Sequence, residues 1–164
     1  MYWGFFNLNR DGQYAENLSY DKNGNILTLK RFGQEELGQP IEIDDLTYTY
    51  NANQLQSVTD ATNNAEGFND GNKTGNDFVY DSFGNITQDK NKKITNVKYN
   101  HLNLPTEVVF NTGKINYTYD AAGTRLKKQV FPTSAATETT DYINGFQYVD
   151  NVLKFFAPRR LCRI

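Results

Sequence analysis

The chain has 164 residues, with 17 Lys+Arg against 19 Asp+Glu and a formal charge of −2, so it lacks the basic excess expected of a nucleic-acid binder. A single cysteine and a single histidine exclude an internal disulfide framework and any metal site built from several thiolates or imidazoles. No stretch approaches the roughly 20 apolar residues of a membrane-spanning helix, and the start Met1-Tyr2-Trp3-Gly4-Phe5-Phe6 has neither the basic opening nor the sustained apolar run of a signal peptide.

Leu, Ile, Val and Phe number 39, beside 11 Tyr, 21 Asn and 16 Thr. Tyr, Phe and Thr suit a half-buried pleated surface, and Asn and Gly suit tight turns. Nowhere do apolar residues keep a helical spacing. The composition predicts an all-β chain of many short strands. In chain order, residues 1–12 read as the edge of an upstream repeat, and strands are expected near 13–20 and 25–32. An insertion follows around 33–41, then strands near 43–50 and 54–59. Residues 61–76, with Gly67, Gly71 and Gly75, read as a surface loop. Further strands are expected near 77–80, 85–89, 93–99, 106–111, 114–119, 125–131, 138–143, 145–149 and 152–156. The whole reads as an antiparallel meander that grows by adding hairpins.

Three segments between these strands repeat. They are Tyr20-Asp21-Lys22-Asn23-Gly24-Asn25-Ile26, Tyr80-Asp81-Ser82-Phe83-Gly84-Asn85-Ile86 and Tyr119-Asp120-Ala121-Ala122-Gly123-Thr124-Arg125-Leu126. Degenerate copies begin at Tyr50-Asn51 and Tyr99-Asn100, so the tyrosines advance by 30, 30, 19 and 20 residues. Asp at the first and Gly at the fourth position of a four-residue turn is the type I preference. The Asp side chain can accept backbone N–H groups within the turn. The Gly can take positive φ and open a bulge that sets the twist of the outgoing strand. Each motif therefore reads as a hairpin, with the tyrosine ending its incoming strand.

These motifs resemble the YD-repeat, or Rhs (rearrangement hot spot), family. The resemblance runs over residues 13–156, and Asn100-His101-Leu102-Asn103-Leu104-Pro105 is similar to a form common in such repeats. It implies a curved β-ribbon forming part of a hollow shell that encloses or presents a C-terminal toxin or other domain. The repeats themselves are non-catalytic and need no cofactor. It also implies neighbouring repeats and an encapsulated domain as partners, and an extracellular or cell-surface location in bacteria. The family's toxin-bearing members carry an Asp-Pro self-cleavage motif; this sequence has no Asp-Pro, so no protease role is carried over. Residues 157–164 depart in composition, holding three of the six arginines and the only cysteine, Cys162. They suggest a truncation or frameshift, which the source DNA would reveal.

Other residues carry weaker chemistry. His101 reads as a solvated turn residue. Asp44 and Asp45, adjacent on a strand, would face opposite sides and so cannot act as the facing pair glycosidases use. Two segments imitate part of a calcium loop. Asn7-Leu8-Asn9-Arg10-Asp11-Gly12 would place Leu18 at the last ligand position, and the other offers Asp70, Asn72 and Asp77 as weak metal candidates. Lys92-Lys93 and Lys127-Lys128 read as solvated strand ends. Trp3 and the tyrosines offer either cross-strand ladders or a platform for a glycan or peptide, which is the alternative function.

Overall fold

The computed structural model describes residues 14–34 and 40–156. The expectations for residues 1–12, including Trp3 and the Asn7–Gly12 loop, and for residues 157–164 with Cys162 fall outside these. The described residues form thirteen strands and no helix. The chain divides into two compact units, 1–78 and 79–164.

In the first unit β1 (Glu16–Tyr20), β2 (Ile26–Gln34), β3 (Pro40–Asn51) and β4 (Gln54–Asp60) form a four-stranded sheet in sequence order. All three pairings are antiparallel. Strand alternation sorts the residues onto two faces. Leu18, Leu29 and Leu46 lie opposite one another on one face, with Tyr48 opposite Val58. On the other face Ser19, Thr28, Thr47 and Thr59 make a hydroxyl row across all four strands. Ser19 and Thr28 hydroxyls meet at 2.6 Å, as do those of Thr49 and Ser57.

The second sheet has nine strands, also in sequence order. They are β5 (Phe78–Tyr80), β6 (Ile86–Asp89), β7 (Ile94–Tyr99), β8 (Pro105–Phe110), β9 (Gly113–Tyr119), β10 (Arg125–Pro132), β11 (Glu138–Ile143), β12 (Phe146–Val149) and β13 (Val152–Phe156). An apolar row runs Val97, Val108, Ile115, Val130 across β7 to β10. The opposite face carries a charged row in which Glu107 bridges Lys98 at 2.7 Å and Lys114 at 3.0 Å. The last two hairpins turn through Asn144-Gly145 and Asp150-Asn151. All four residues have positive φ, as two-residue type I′ loops require.

Each expected strand has its counterpart, but the one continuous meander is two sheets. Among the described residues neither sheet closes into a ring: β1 and β4 end the first order, β13 and β5 the second. The ends of the expected insertion at 33–41 are strand, because Phe32, Gly33 and Gln34 pair with Glu42, Ile41 and Pro40 beyond a register shift; residues 35–39 lie outside the described residues. Lys127 and Lys128 lie inside β10 rather than at its end, and Lys127 Nζ sits 3.5 Å from Asp141. Among the described residues only Leu46, Val58 and Val97 are fully buried apolar side chains, each contributing about 1.5–3 kcal/mol. The sheets therefore depend on half-buried faces and on their ladders of hydrogen bonds.

Candidate functional site

The three Tyr-Asp-x-x-Gly turns share one geometry. Gly24 N–H donates to the Asp21 carbonyl at 3.2 Å, and Asp21 N–H to the Asn25 carbonyl at 2.9 Å. One Asp21 carboxylate oxygen accepts the Asn23 and Asn25 N–H groups at 2.8 and 2.9 Å, and the other accepts Asn25 Nδ2 at 2.8 Å. Asp81 repeats this set with Phe83 and Asn85. Asp120 repeats the backbone part with Ala122 and Thr124. Gly24, Gly84 and Gly123 have φ of 87°, 86° and 85°, which a side chain disfavours. A register shift follows Ser19 and another lies between Arg125 and Lys127.

These bonds hold the three carboxylates below their ordinary pKa. The largest cause is the Asn25 side chain for Asp21, the Asn85 side chain for Asp81 and the Thr124 N–H for Asp120. The Asn100 turn is built alike: its Oδ1 accepts Leu102 and Leu104 N–H at 2.9 and 3.0 Å. Asn103 takes the glycine's place at φ 57°. The Asn51 copy differs. Asn51 pairs directly with Gln54, leaving a two-residue loop with Ala52 at φ 52°.

Neighbouring turns are joined to one another. Asn25 Nδ2 donates to Asn53 Oδ1 at 3.1 Å, and Asn85 Nδ2 to Asn103 Oδ1 at 3.0 Å. The asparagines after Gly24 and Gly84 thus each serve their own turn and the next. Tyrosines join adjacent strands in the same periodic way. Tyr99 Oη donates to the Ile86 carbonyl at 2.7 Å, and Tyr119 Oη to the Pro105 carbonyl at 3.0 Å. Burial, with Asp81 nearby, pushes the Tyr99 hydroxyl up. Tyr80 is half-buried and Tyr20 is exposed. The Tyr117 and Tyr119 rings lie 6.4 Å apart, and the Arg125 guanidinium sits over Tyr117 at 4.8 Å.

The connection 61–76 was expected to be a surface loop, yet Asp70 within it and Asp77 at its end are buried carboxylates; Asp77, like Asp44 on β3, is 1 % exposed. Asp77 accepts the Val58 N–H at 2.7 Å and Asn72 Nδ2 at 2.8 Å. Asp70 accepts the Asp60 N–H at 3.2 Å. Val58 and Asp60 are alternate residues of the last strand of the first sheet, so the loop caps that strand's outward donors with carboxylates. Asp60 in turn accepts N–H groups of Asp45 and Thr62, both at 3.0 Å. Asp44 accepts from Arg31 Nε at 2.6 Å and from the Phe68 N–H. A side chain at Gly67 would strike the Ile43 carbonyl and Asp44 Oδ1, so the loop approaches the sheet where only glycine fits.

The metal candidates Asp70, Asn72 and Asp77 do not converge. Asp70 and Asp77 turn to different backbone donors, and Asn72 points its Nδ2 at Asp77. No cluster of three or more acidic, Cys or His side chains suited to a metal occurs among the described residues. Asp44 and Asp45 engage opposite faces, Asp45 meeting Lys30 at 2.9 Å. His101 is exposed in the Asn100 turn. No helix among the described residues is long and apolar enough to cross a membrane. No protein-family model matches the chain, and no curated protein matches it.

Proposed function

We propose that the chain is a non-catalytic structural segment of a YD-repeat (Rhs-like) shell, which encloses or presents a toxin or other domain at the surface of, or outside, a bacterial cell. The observation that carries this reading is the recurrence of one turn at Asp21, Asp81 and Asp120, with the same acceptor set and the same positive-φ glycine. Open sheets in sequence order, with a thin apolar core, are the form expected of a piece that neighbouring repeats extend. Its partners are those repeats and the enclosed domain. Coding DNA on either side of this reading frame tests the proposal. Continuing Tyr-Asp-x-x-Gly repeats leading to a further domain support it, as does protease resistance of that domain in the complete polypeptide. Unrelated flanking genes overturn it.

A second reading is a binding module for a surface glycan or peptide. It is favoured by the tilted Tyr117–Tyr119 pair beside Arg125, since such a face stacks on sugar rings and peptide groups. Glycan-array binding lost on Tyr117→Ala, with the melting temperature retained, would select it.

A further inference from the structure

One cluster outside the turns brings a nucleophile, an electrophile and a proton acceptor together. Lys73 Nζ donates to Asn63 Oδ1 at 2.7 Å and lies 3.2 Å from Asp70 Oδ2. The Asp70 side chain is 3 % exposed, and its Oδ1 is buried without a hydrogen-bond partner. A buried carboxylate oxygen left unpaired is costly, so Oδ1 is an open acceptor on the carboxylate that Lys73 already contacts. Asp70 and Asn63 are both anchored on Asp60, and the Lys73 side chain, 55 % exposed, reaches them through the two contacts above. Asp60 N–H fixes Asp70, while the Asp60 carboxylate takes N–H groups of Thr62 and Asn63. Asn63 sits at φ 52°, in the left-handed region that asparagine adopts readily.

We infer that Lys73 and Asn63 form an intramolecular isopeptide bond, with Asp70 carrying the protons. The Lys73 ammonium gives one proton to the Asp70 carboxylate. The neutral Nζ attacks Asn63 Cγ; the Nζ–Cγ bond forms as the carbonyl π electrons move to Oδ1. A second Nζ proton passes through the Asp70 carboxyl to Asn63 Nδ2. The carbonyl re-forms, and the Cγ–Nδ2 bond breaks with its electron pair on nitrogen. The ammonia released takes the remaining proton from Asp70 and departs as ammonium. Nothing is oxidised or reduced, and no co-reactant is required. Holding amine and amide in contact makes the step unimolecular, and the positioned carboxylate supplies general acid–base assistance. The reaction occurs once per chain, so it is self-modification rather than turnover. The product closes residues 63–73 into a covalent ring beneath the capped strand.

Mass spectrometry of the full chain tests this. The expected result is an intact mass lower by one ammonia, loss of tryptic cleavage after Lys73, and a branched peptide joining Lys73 to Asn63. Lys73→Arg keeps the cation beside Asp70 and is expected to restore the full mass, as is Asn63→Ala. Asp70→Asn is expected to slow the mass loss during incubation. Wild-type protein that keeps its full mass and yields no branched peptide after prolonged incubation overturns the inference. So does a loss of ammonia that persists in Lys73→Arg, since it must then arise from another residue.

Discussion

Asp77 accepts the Val58 N–H at 2.7 Å while only 1 % exposed. The carboxylate thereby does for an edge strand what a further strand would do. Replacing it by Ala leaves a buried N–H without a partner, at about 1–3 kcal/mol. The denaturant midpoint of Asp77→Ala should fall with an unchanged slope. Asp77→Asn retains one acceptor oxygen and should lose less. Equal losses in both variants would mean that the hydrogen bond to Val58 contributes nothing.

Gly84 has open space around the position of a missing Cβ, and φ of 86°. The cost of a side chain there is conformational alone, roughly 1–2 kcal/mol for Ala, and more for a β-branched residue. Gly84→Val should be markedly destabilising and Ser82→Val should not. Gly84→Asn should be nearly neutral, since Asn103 occupies the matching place at φ 57°. Gly123→Ala should cost more than Gly84→Ala, because its Cβ would lie 3.1 Å from Leu104 Cδ1. Thermal melts of these variants rank them.

Asp21, Asp81 and Asp120 lie below their ordinary value of 3.8 in the folded chain. A depressed carboxylate stabilises the fold fully above its unfolded pKa, and that stabilisation is lost as pH falls through the folded pKa. Stability contributed by these turns should therefore be constant near neutrality and decline below about pH 4. The Asn100 turn keeps the acceptor as a neutral amide. The triple change Asp21→Asn, Asp81→Asn, Asp120→Asn should accordingly flatten the acid limb of a midpoint-against-pH curve. An unchanged acid limb would assign it to other carboxylates, such as Asp60 and Glu107, which are also lowered.

Tyr99→Phe removes a single hydrogen bond to the Ile86 carbonyl and leaves the ring. A loss of about 0.5–1.5 kcal/mol is expected, and Tyr119→Phe should match it through Pro105. No change in either midpoint would reduce these tyrosines to packing alone.

The strand Val152–Phe156 ends its sheet and exposes Val152, Leu153 and Phe155. An apolar edge with unpaired backbone groups is a template for another chain. Sedimentation should find concentration-dependent association, diminished by Leu153→Lys with Phe155→Glu. A monomer at every concentration for the unmodified chain would mean that this edge is protected.

The strands were legible because Tyr, Thr and branched residues alternate between turns whose chemistry is local. Asp21 and Gly24 specify their hairpin from four residues. Asp70 and Asp77 were not legible in the same way. Amid Asn and Gly they look like any polar loop, and their burial depends on N–H groups of Asp60 and Val58, some 10 and 19 residues away. The division into two sheets was hidden for the same reason, since the loop that caps the first sheet reads as a connection. Lys73 and Asn63 show no pattern in sequence; a folded loop brings them together.

Within each sheet, every strand after the first lies beside the one that precedes it in the chain. Each hairpin can therefore dock as soon as it is synthesised, on a strand already in place, and no segment waits for a distant partner. Local pairing of this kind favours fast folding. It suits assembly that runs from the N-terminal end as the chain emerges, so that length can be added at the end without rebuilding what came before.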